Sequence, residues 1–187
     1  MSSPQGLSAT LFVEKENHGY KLKADINVVN DHAVRMDVNT SLDLPEASII
    51  LTQNKIEYLL YQQKKYYSGR PNSHALDPVF PMSIDADTLV KVLKEEKPVG
   101  SQCEQENGYL TQCTGKAGAL NYRVTWSKRK DSGPLAGRAS KMVIDIAEEN
   151  ISLRFYFSDW QKNVSNAERF LSLQVPPGFK TFSTPEH

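Results

Sequence analysis

The 187-residue chain lacks most of what would make its function easy to read. No apolar run approaches the roughly 20 residues that a membrane-spanning helix needs, and the longest purely aliphatic piece is Ile49-Ile50-Leu51. Net charge of either sign is missing too, since 22 Lys and Arg balance 22 Asp and Glu. Phosphate neutralisation requires clustered, uncompensated cations, so nucleic acid is not an expected partner. Histidine is scarce, and none of His18, His32, His74 or His187 stands at metal-ligand spacing from another ligand type, so each reads as a surface residue and no metal is expected. Gly-x-Ser-x-Gly, His-Glu-x-x-His, a Walker loop and a dinucleotide fingerprint are all absent. The carboxylate pairs Asp85/Asp87, Glu95/Glu96 and Glu148/Glu149 read as helix-start anions, a solvated helix end and a hairpin turn rather than a glycosidase pair. No cofactor and no catalysis are expected.

Cysteine is nearly absent, but its two copies are informative. The N-terminal Met1-Ser2-Ser3-Pro4 has neither the basic nor the apolar region of a secretory signal, which leaves the compartment to Cys103 and Cys113. These flank an Asn107-Gly108 turn signal. A hairpin with a three-residue loop at 107–109 sets them opposite each other. A disulfide there would stabilise the fold by about 2–3 kcal/mol and imply an oxidising compartment; the alternative is two reduced thiols. Two cysteines without a nearby histidine are too few for zinc.

What the sequence has in quantity is alternation. Apolar residues recur with period two through 8–15, 20–29, 32–40, 47–53, 55–62, 65–69, 120–128, 141–147, 151–158 and 169–175, the pattern of strands with one buried face. In 151–158, Ile151, Leu153, Phe155 and Phe157 face one way and Ser152, Arg154, Tyr156 and Ser158 the other. About ten strands in hairpin order predict one large antiparallel sheet. Tyr58, Tyr61, Tyr66 and Tyr67 beside Lys64 and Lys65 read as cross-strand packing rather than a nucleic-acid platform.

One segment is helical, from Asp85 to Lys97. Asp85 serves as N-cap, Asp87 and the pair Lys94 and Lys97 complement the dipole, and Pro98 ends it. Ala86, Leu89, Val90, Val92 and Leu93 form a stripe that must bury itself against the sheet. Segments 70–81 and 130–137 read as loops inside a single domain over 1–187. The sequons at Asn39 and Asn163 read as chance. The predicted fold class is mainly β (α+β): a strongly curved antiparallel sheet, an open half-barrel, covered by short helices.

Segment order then carries a resemblance. His32-Ala-Val-Arg-Met-Asp-Val-Asn-Thr40, the loop Ser41-Leu-Asp-Leu-Pro-Glu46, and the pair spanning 47–62 come first. Pro81-Met-Ser-Ile-Asp-Ala-Asp-Thr-Leu89, Tyr122-Arg-Val-Thr-Trp126, Ile151-Ser-Leu-Arg-Phe-Tyr-Phe-Ser-Asp-Trp160 and Glu168-Arg-Phe-Leu-Ser-Leu-Gln-Val-Pro-Pro-Gly-Phe179 follow. Together they resemble bacterial periplasmic lipoprotein carriers and receptors of the LolA and LolB type. The resemblance is one of pattern and order over most of the chain. It implies an open barrel whose concave apolar face receives the acyl chains of lipoproteins, and a periplasmic location, soluble or anchored to the outer membrane by an N-terminal lipid. Two departures stand out. The carriers have a long helix before the first strand, where strand-like sequence begins here by Leu7, and an arginine where this chain has Asn30-Asp31. The receptor's exposed apolar loop corresponds to Leu42 and Leu44, which either touch a membrane or fold back into the core.

Shielding acyl chains in water requires a concave apolar surface and no chemistry, each buried methylene gaining about 0.8 kcal/mol. The residues expected to line it are Val34, Met36, Val38, Tyr58, Leu60, Ile144, Leu153 and Phe155 from the strands, and Met82, Leu89, Val92 and Leu93 from the covering segment; the alternative is that they fill a solid core. The leading expectation is a monomeric lipid- or lipoprotein-binding carrier. A sensor or assembly module binding a protein partner, and a small hydrolase built from scattered residues, are the alternatives.

Overall fold

The computed structural model describes residues 3–71, 76–79 and 81–183. His74, His187 and part of the 70–81 loop lie outside the described residues. The alternating segments form the strands β1 (Gln5–Lys15), β2 (His18–Asn30), β3 (Ala33–Thr40), β4 (Pro45–Thr52), β5 (Ile56–Leu60), β6 (Lys65–Gly69), β7 (Gln102–Glu106), β8 (Tyr109–Ala117), β9 (Leu120–Arg129), β10 (Ala139–Ile146), β11 (Ile151–Gln161) and β12 (Lys180–Ser183). The helix α1 (Ala86–Leu93) lies between β6 and β7.

All twelve strands join one sheet in the order β12-β6-β5-β4-β3-β2-β1-β11-β10-β9-β8-β7. Two antiparallel meanders meet where β1 pairs with β11, from Gly6 opposite Gln161 to Lys15 opposite Ile151. The β12–β6 pair alone is parallel among the described strands. The outermost strands β12 and β7 do not pair with each other, so the sheet stays open.

Alternation puts the apolar set of every long strand on one face. Leu7, Leu11 and Val13 of β1, Ile26 and Val28 of β2, and Val124 and Trp126 of β9 are buried in the same cluster as α1. Helix α1 packs on β2, β3 and β4, while the Trp126 indole of β9 donates to the Val92 carbonyl at 3.0 Å. Both arms of the sheet therefore wrap round one helix, and its apolar face is the concave one. Antiparallel pairing gathers the β1–β2, β3–β4, β5–β6, β8–β9 and β10–β11 turns at one end of the half-barrel and the β2–β3, β4–β5, β7–β8 and β9–β10 connections at the other.

Helix α1 is eight residues long, shorter than the sequence predicts, because the chain turns left-handed at Glu95 (φ 56). Glu96 N donates to Lys91 O and Glu95 N to Val92 O, the two bonds of a Schellman stop. At the start, Asp85 caps as predicted, accepting from Thr88 N at 2.9 Å. The helix is tied down by polar contacts to both neighbouring turns. His32 Nδ1 lies 2.9 Å from Asp87 Oδ1, and Gln53 Nε2 donates to Asp87 Oδ2 at 2.7 Å.

Three further expectations are corrected. The cysteine hairpin turns on two residues, Asn107 (φ 53) and Gly108 (φ 81), with Glu106 opposite Tyr109. This is the left-handed pair that matches strand twist. A bulge at Thr111 restores the Cys103–Cys113 pairing that a three-residue loop would have produced, and the two are bonded. The strand expected over 169–175 is absent. Ala167–Leu171 is a 3-10 turn lying on the convex face, where Ala167 packs with Val29 and Ala33 and with Val164, Phe170 and Leu171. Both β2 and β3 already have two neighbours, so no edge is free there. A free edge exists at β6, which the chain reaches only after Pro176-Pro177-Gly178, as β12. The count is twelve strands rather than ten.

Two outcomes follow from these contacts. Replacing both cysteines by serine lowers stability by about 2–3 kcal/mol in urea melts, with the far-ultraviolet spectrum unchanged because the bridge staples only an edge hairpin; an unaltered midpoint would refute this. Asp87→Ala, at a partly exposed site, costs at most about 1 kcal/mol globally, but accelerates amide exchange in α1 selectively, and uniform exchange across helix and sheet would contradict the tether.

Candidate functional site

The concave face is where the predicted residues converge. Val34, Met36 and Val38 of β3, Tyr58 and Leu60 of β5, Ile144 of β10, and Leu153 and Phe155 of β11 all point inward and are buried. Leu89, Val92 and Leu93 come down from α1, and Met82 from the extended segment before it. All twelve belong to one continuous apolar cluster in which the helix fills the space between the arms. Leu76, Val79 and Ile84 extend that cover. Tyr58 stacks on Tyr67, its cross-strand partner, with ring centroids 4.8 Å apart, as the tyrosine spacing predicts. Burial, with Tyr67 and Asp77 adding, raises the Tyr58 pKa.

The cover is slight for the surface it protects. One eight-residue helix and an extended segment lie over the inner side of a twelve-stranded sheet. Gly115 shows how closely this face is packed: a Cβ there would stand 2.5 Å from the Tyr122 Oη, so the absence of a side chain on β8 lets the Tyr122 ring of β9 lie across it.

Where the helix ends, charge enters the interior. Glu95, expected as part of a solvated helix end, has a side chain only 12% exposed. Its Oε1 accepts from Ala139 N at 2.7 Å and its Oε2 from Arg129 Nη1 at 3.0 Å. A left-handed glutamate costs about 1–2 kcal/mol in backbone strain, and these two charge-assisted bonds offset it. Beside it, Arg138 is 1% exposed, with its guanidinium 4.5 Å from the Phe157 ring centroid and 5.6 Å from that of Trp160. Its Nε and Nη2 have no hydrogen-bond partner among the described residues. Burial pulls its pKa down to about 10, with Glu95 opposing and Arg129 adding to the shift, so it remains a cation at neutral pH. Lys94 Nζ is also buried, 3.5 Å from Asp31 Oδ1 and 3.8 Å from Glu96 Oε1. Sequence reasoning misses Arg138 and Arg129 altogether, since a basic residue beside a Gly-Pro loop carries no signal of burial.

Two cavities lie elsewhere and contain none of the twelve residues. A mixed-charge cleft of about 1320 Å³ runs along the strand ends at the β1–β2 and β10–β11 turns, lined by Glu14, Glu16, Lys116, Arg123, Asp145 and Glu148 among others. Within it, Glu148 accepts from Asn121 Nδ2 at 2.6 Å and Asn121 N at 3.1 Å. Its own backbone N–H first, then these two bonds, hold its carboxyl below the usual range. The second cavity, about 310 Å³, lies between the C-terminal segment and the convex face, beside Arg35, Tyr61 and Ser172. There Arg35 pairs with Asp37 at 3.0 Å and donates to the Ser172 carbonyl at 3.2 Å. Among the described residues, no group of three His, Cys, Asp or Glu is placed to hold a metal, and no helix is long and apolar enough to cross a membrane.

Leu42 and Leu44 stand at the tip of the β3–β4 turn, 80% and 54% exposed. The tip is shaped by Thr40 N donating to Leu44 O at 2.8 Å and by Lys23 binding Asp43 at 2.7 Å. The alternative that these leucines fold into the core is therefore excluded.

No protein-family model matches this chain, and no curated protein sequence matches it. Solved structures do. A LolA superfamily protein from Nitrosomonas europaea superposes with a TM-score of 0.55 at 6% identity, over 92% of this chain and 90% of that one. A DUF1329 family protein from Desulfovibrio piger gives 0.55 at 9% identity, over 92% and 90%. A putative outer membrane lipoprotein-sorting protein domain from Vibrio parahaemolyticus gives 0.53 at 10%, over 91% and 92%. With an open twelve-stranded half-barrel wrapped round a short helix, this chain has the LolA/LolB-like fold.

Proposed function

We propose that the protein shields the acyl chains of lipids or lipoproteins in the space under α1, in the periplasm, during transfer towards the outer membrane. The observation that carries this reading is the imbalance on the concave face: a large continuous apolar surface covered, among the described residues, by one short helix and a few apolar residues before it, the helix itself held at its first turn by contacts at partly exposed residues. The likeness in fold to a lipoprotein-sorting domain supports it. Carriage requires no reacting group, and the proposal assigns none.

The mechanism is exchange of one apolar occupant for another. In the closed state Leu89, Val92 and Leu93 fill the space between the arms. Swinging the N-terminal end of α1 outward together with Leu76, Val79, Met82 and Ile84 exposes Val34, Met36, Val38, Tyr58, Leu60, Ile144, Leu153 and Phe155, and an acyl chain takes the place of the helix side chains. Each buried methylene gains about 0.8 kcal/mol, so about ten methylenes offer some 8 kcal/mol against the cost of displacing the cover. The exposed pair Leu42 and Leu44 is a contact point with the membrane at the end of the half-barrel where five turns gather.

The expected outcome is that the purified protein takes up a fluorescent acyl probe with saturation, that unlabelled lipid displaces it, and that Asp87→Ala speeds uptake by freeing the helix. No lipid after organic extraction together with no probe uptake would sink the proposal. Leu42→Ser combined with Leu44→Ser leaves the melting curve unchanged, since both side chains lie in water. It also reduces sedimentation with vesicles of phosphatidylethanolamine and phosphatidylglycerol; equal sedimentation would remove the loop from the mechanism.

A further inference from the structure

The unused feature of this interior is a buried cation, Arg138, two of whose donors have no hydrogen-bond partner among the described residues. Arg138 lies in the β9–β10 connection beside the end of β11, 1% exposed. Two aromatic rings lie close to its guanidinium, and attraction to ring faces leaves in-plane N–H donors unsatisfied. Nε and Nη2 are orphaned in this way. The carboxylate whose charge acts on it, Glu95, already accepts from the Arg129 guanidinium and the Ala139 amide. The three charged groups therefore sum to one uncompensated positive charge on the concave side. An unpaired buried charge is costly, whereas a charge-assisted, bidentate partner suits a guanidinium.

The apolar surface leads directly away from this point. Phe157 stacks on Phe155 with centroids 6.0 Å apart, and Leu153 and Ile151 continue the same inward row of β11. At about 3.3 Å per residue, that row runs about 20 Å from the arginine towards the opposite end of the half-barrel, in keeping with an extended palmitoyl chain. A lipoprotein would leave its polar part outside; a head group reaching Arg138 must instead enter first, on a ligand with a single tail.

We propose that the interior also binds a single-chain amphiphile with an anionic head group, head inward on the Nε and Nη2 edge of Arg138 and tail along Phe157, Phe155 and Leu153. The inference rests on the acyl-shielding reading, because it uses the same space, and it adds the charge of the ligand and its direction of entry. Carboxylate and phosphate heads share the required chemistry.

The test displaces a neutral fluorescent acyl probe from the intact protein with palmitate, methyl palmitate and monoacyl phosphatidic acid below their critical micelle concentrations. Palmitate or the phosphatidic acid is expected to bind at least tenfold more tightly than methyl palmitate, and whichever anion does so identifies the head as carboxylate or phosphate. Arg138→Gln is expected to reduce that preference to within twofold, and Arg138→Lys to restore part of it. Equal wild-type affinity for all three overturns the inference and leaves acyl shielding standing; failure of every ligand and of the probe overturns both. If Arg138→Gln does not fold, the wild-type comparison of charged and uncharged heads decides alone.

Discussion

An open sheet leaves the apolar ends of alternate side chains facing a space that no partner strand fills, and water has to be kept out of it. In this protein the constraint falls on α1. Its apolar residues are buried against both arms of the half-barrel, and the Trp126 bond to Val92 O links the far arm to the helix. The segments on either side help to exclude water as well. Leu76, Val79, Met82 and Ile84 extend the cover, and the left-handed stop at Glu95 ends the helix and brings its carboxylate to the β9–β10 connection. The convex face solves its own problem separately, with the C-terminal segment laid over Val29 and Ala33 before it adds β12 to the edge at β6.

The two ends of α1 are held differently. At the N-terminal end, polar contacts to His32 and Gln53 lie at partly exposed residues and cost little to break. At the C-terminal end, Glu95 and Arg138 are buried with charges that solvent does not screen. Such an arrangement favours hinging about the C-terminal end over lifting the helix whole, since removing Glu95 from its two donors would expose three groups to unmet hydrogen bonding at once.

Much of the fold is legible in the order of the residues. Alternation along β3, β10 and β11 identifies the inward sets, because a half-buried strand has a strict two-residue period. The cap Asp85 and the cysteine pair follow from local chemistry of the same kind. The misreadings also have physical causes. Leu171, Leu173 and Val175 alternate as a strand would, yet a strand needs an unpaired edge, and edges are a property of the sheet order. Glu95 looks like part of a solvated charged pair because its partners, Arg129 and Ala139, lie over thirty residues away in the chain.

Local periodicity and composition suffice for the strand faces, the position of one helix and the exclusion of a helical membrane span, while the Leu42–Leu44 loop as a candidate contact comes from the resemblance in segment order. They do not reach which face is concave, that α1 fills it, or that a balanced chain nevertheless buries an unmatched cation at Arg138; those belong to the folded arrangement. Net charge is a sum over all residues and is indifferent to position. The cost of a charge depends on the water around it and the groups within hydrogen-bond reach, and only the folding of β9–β10 against β11 and the end of α1 sets those.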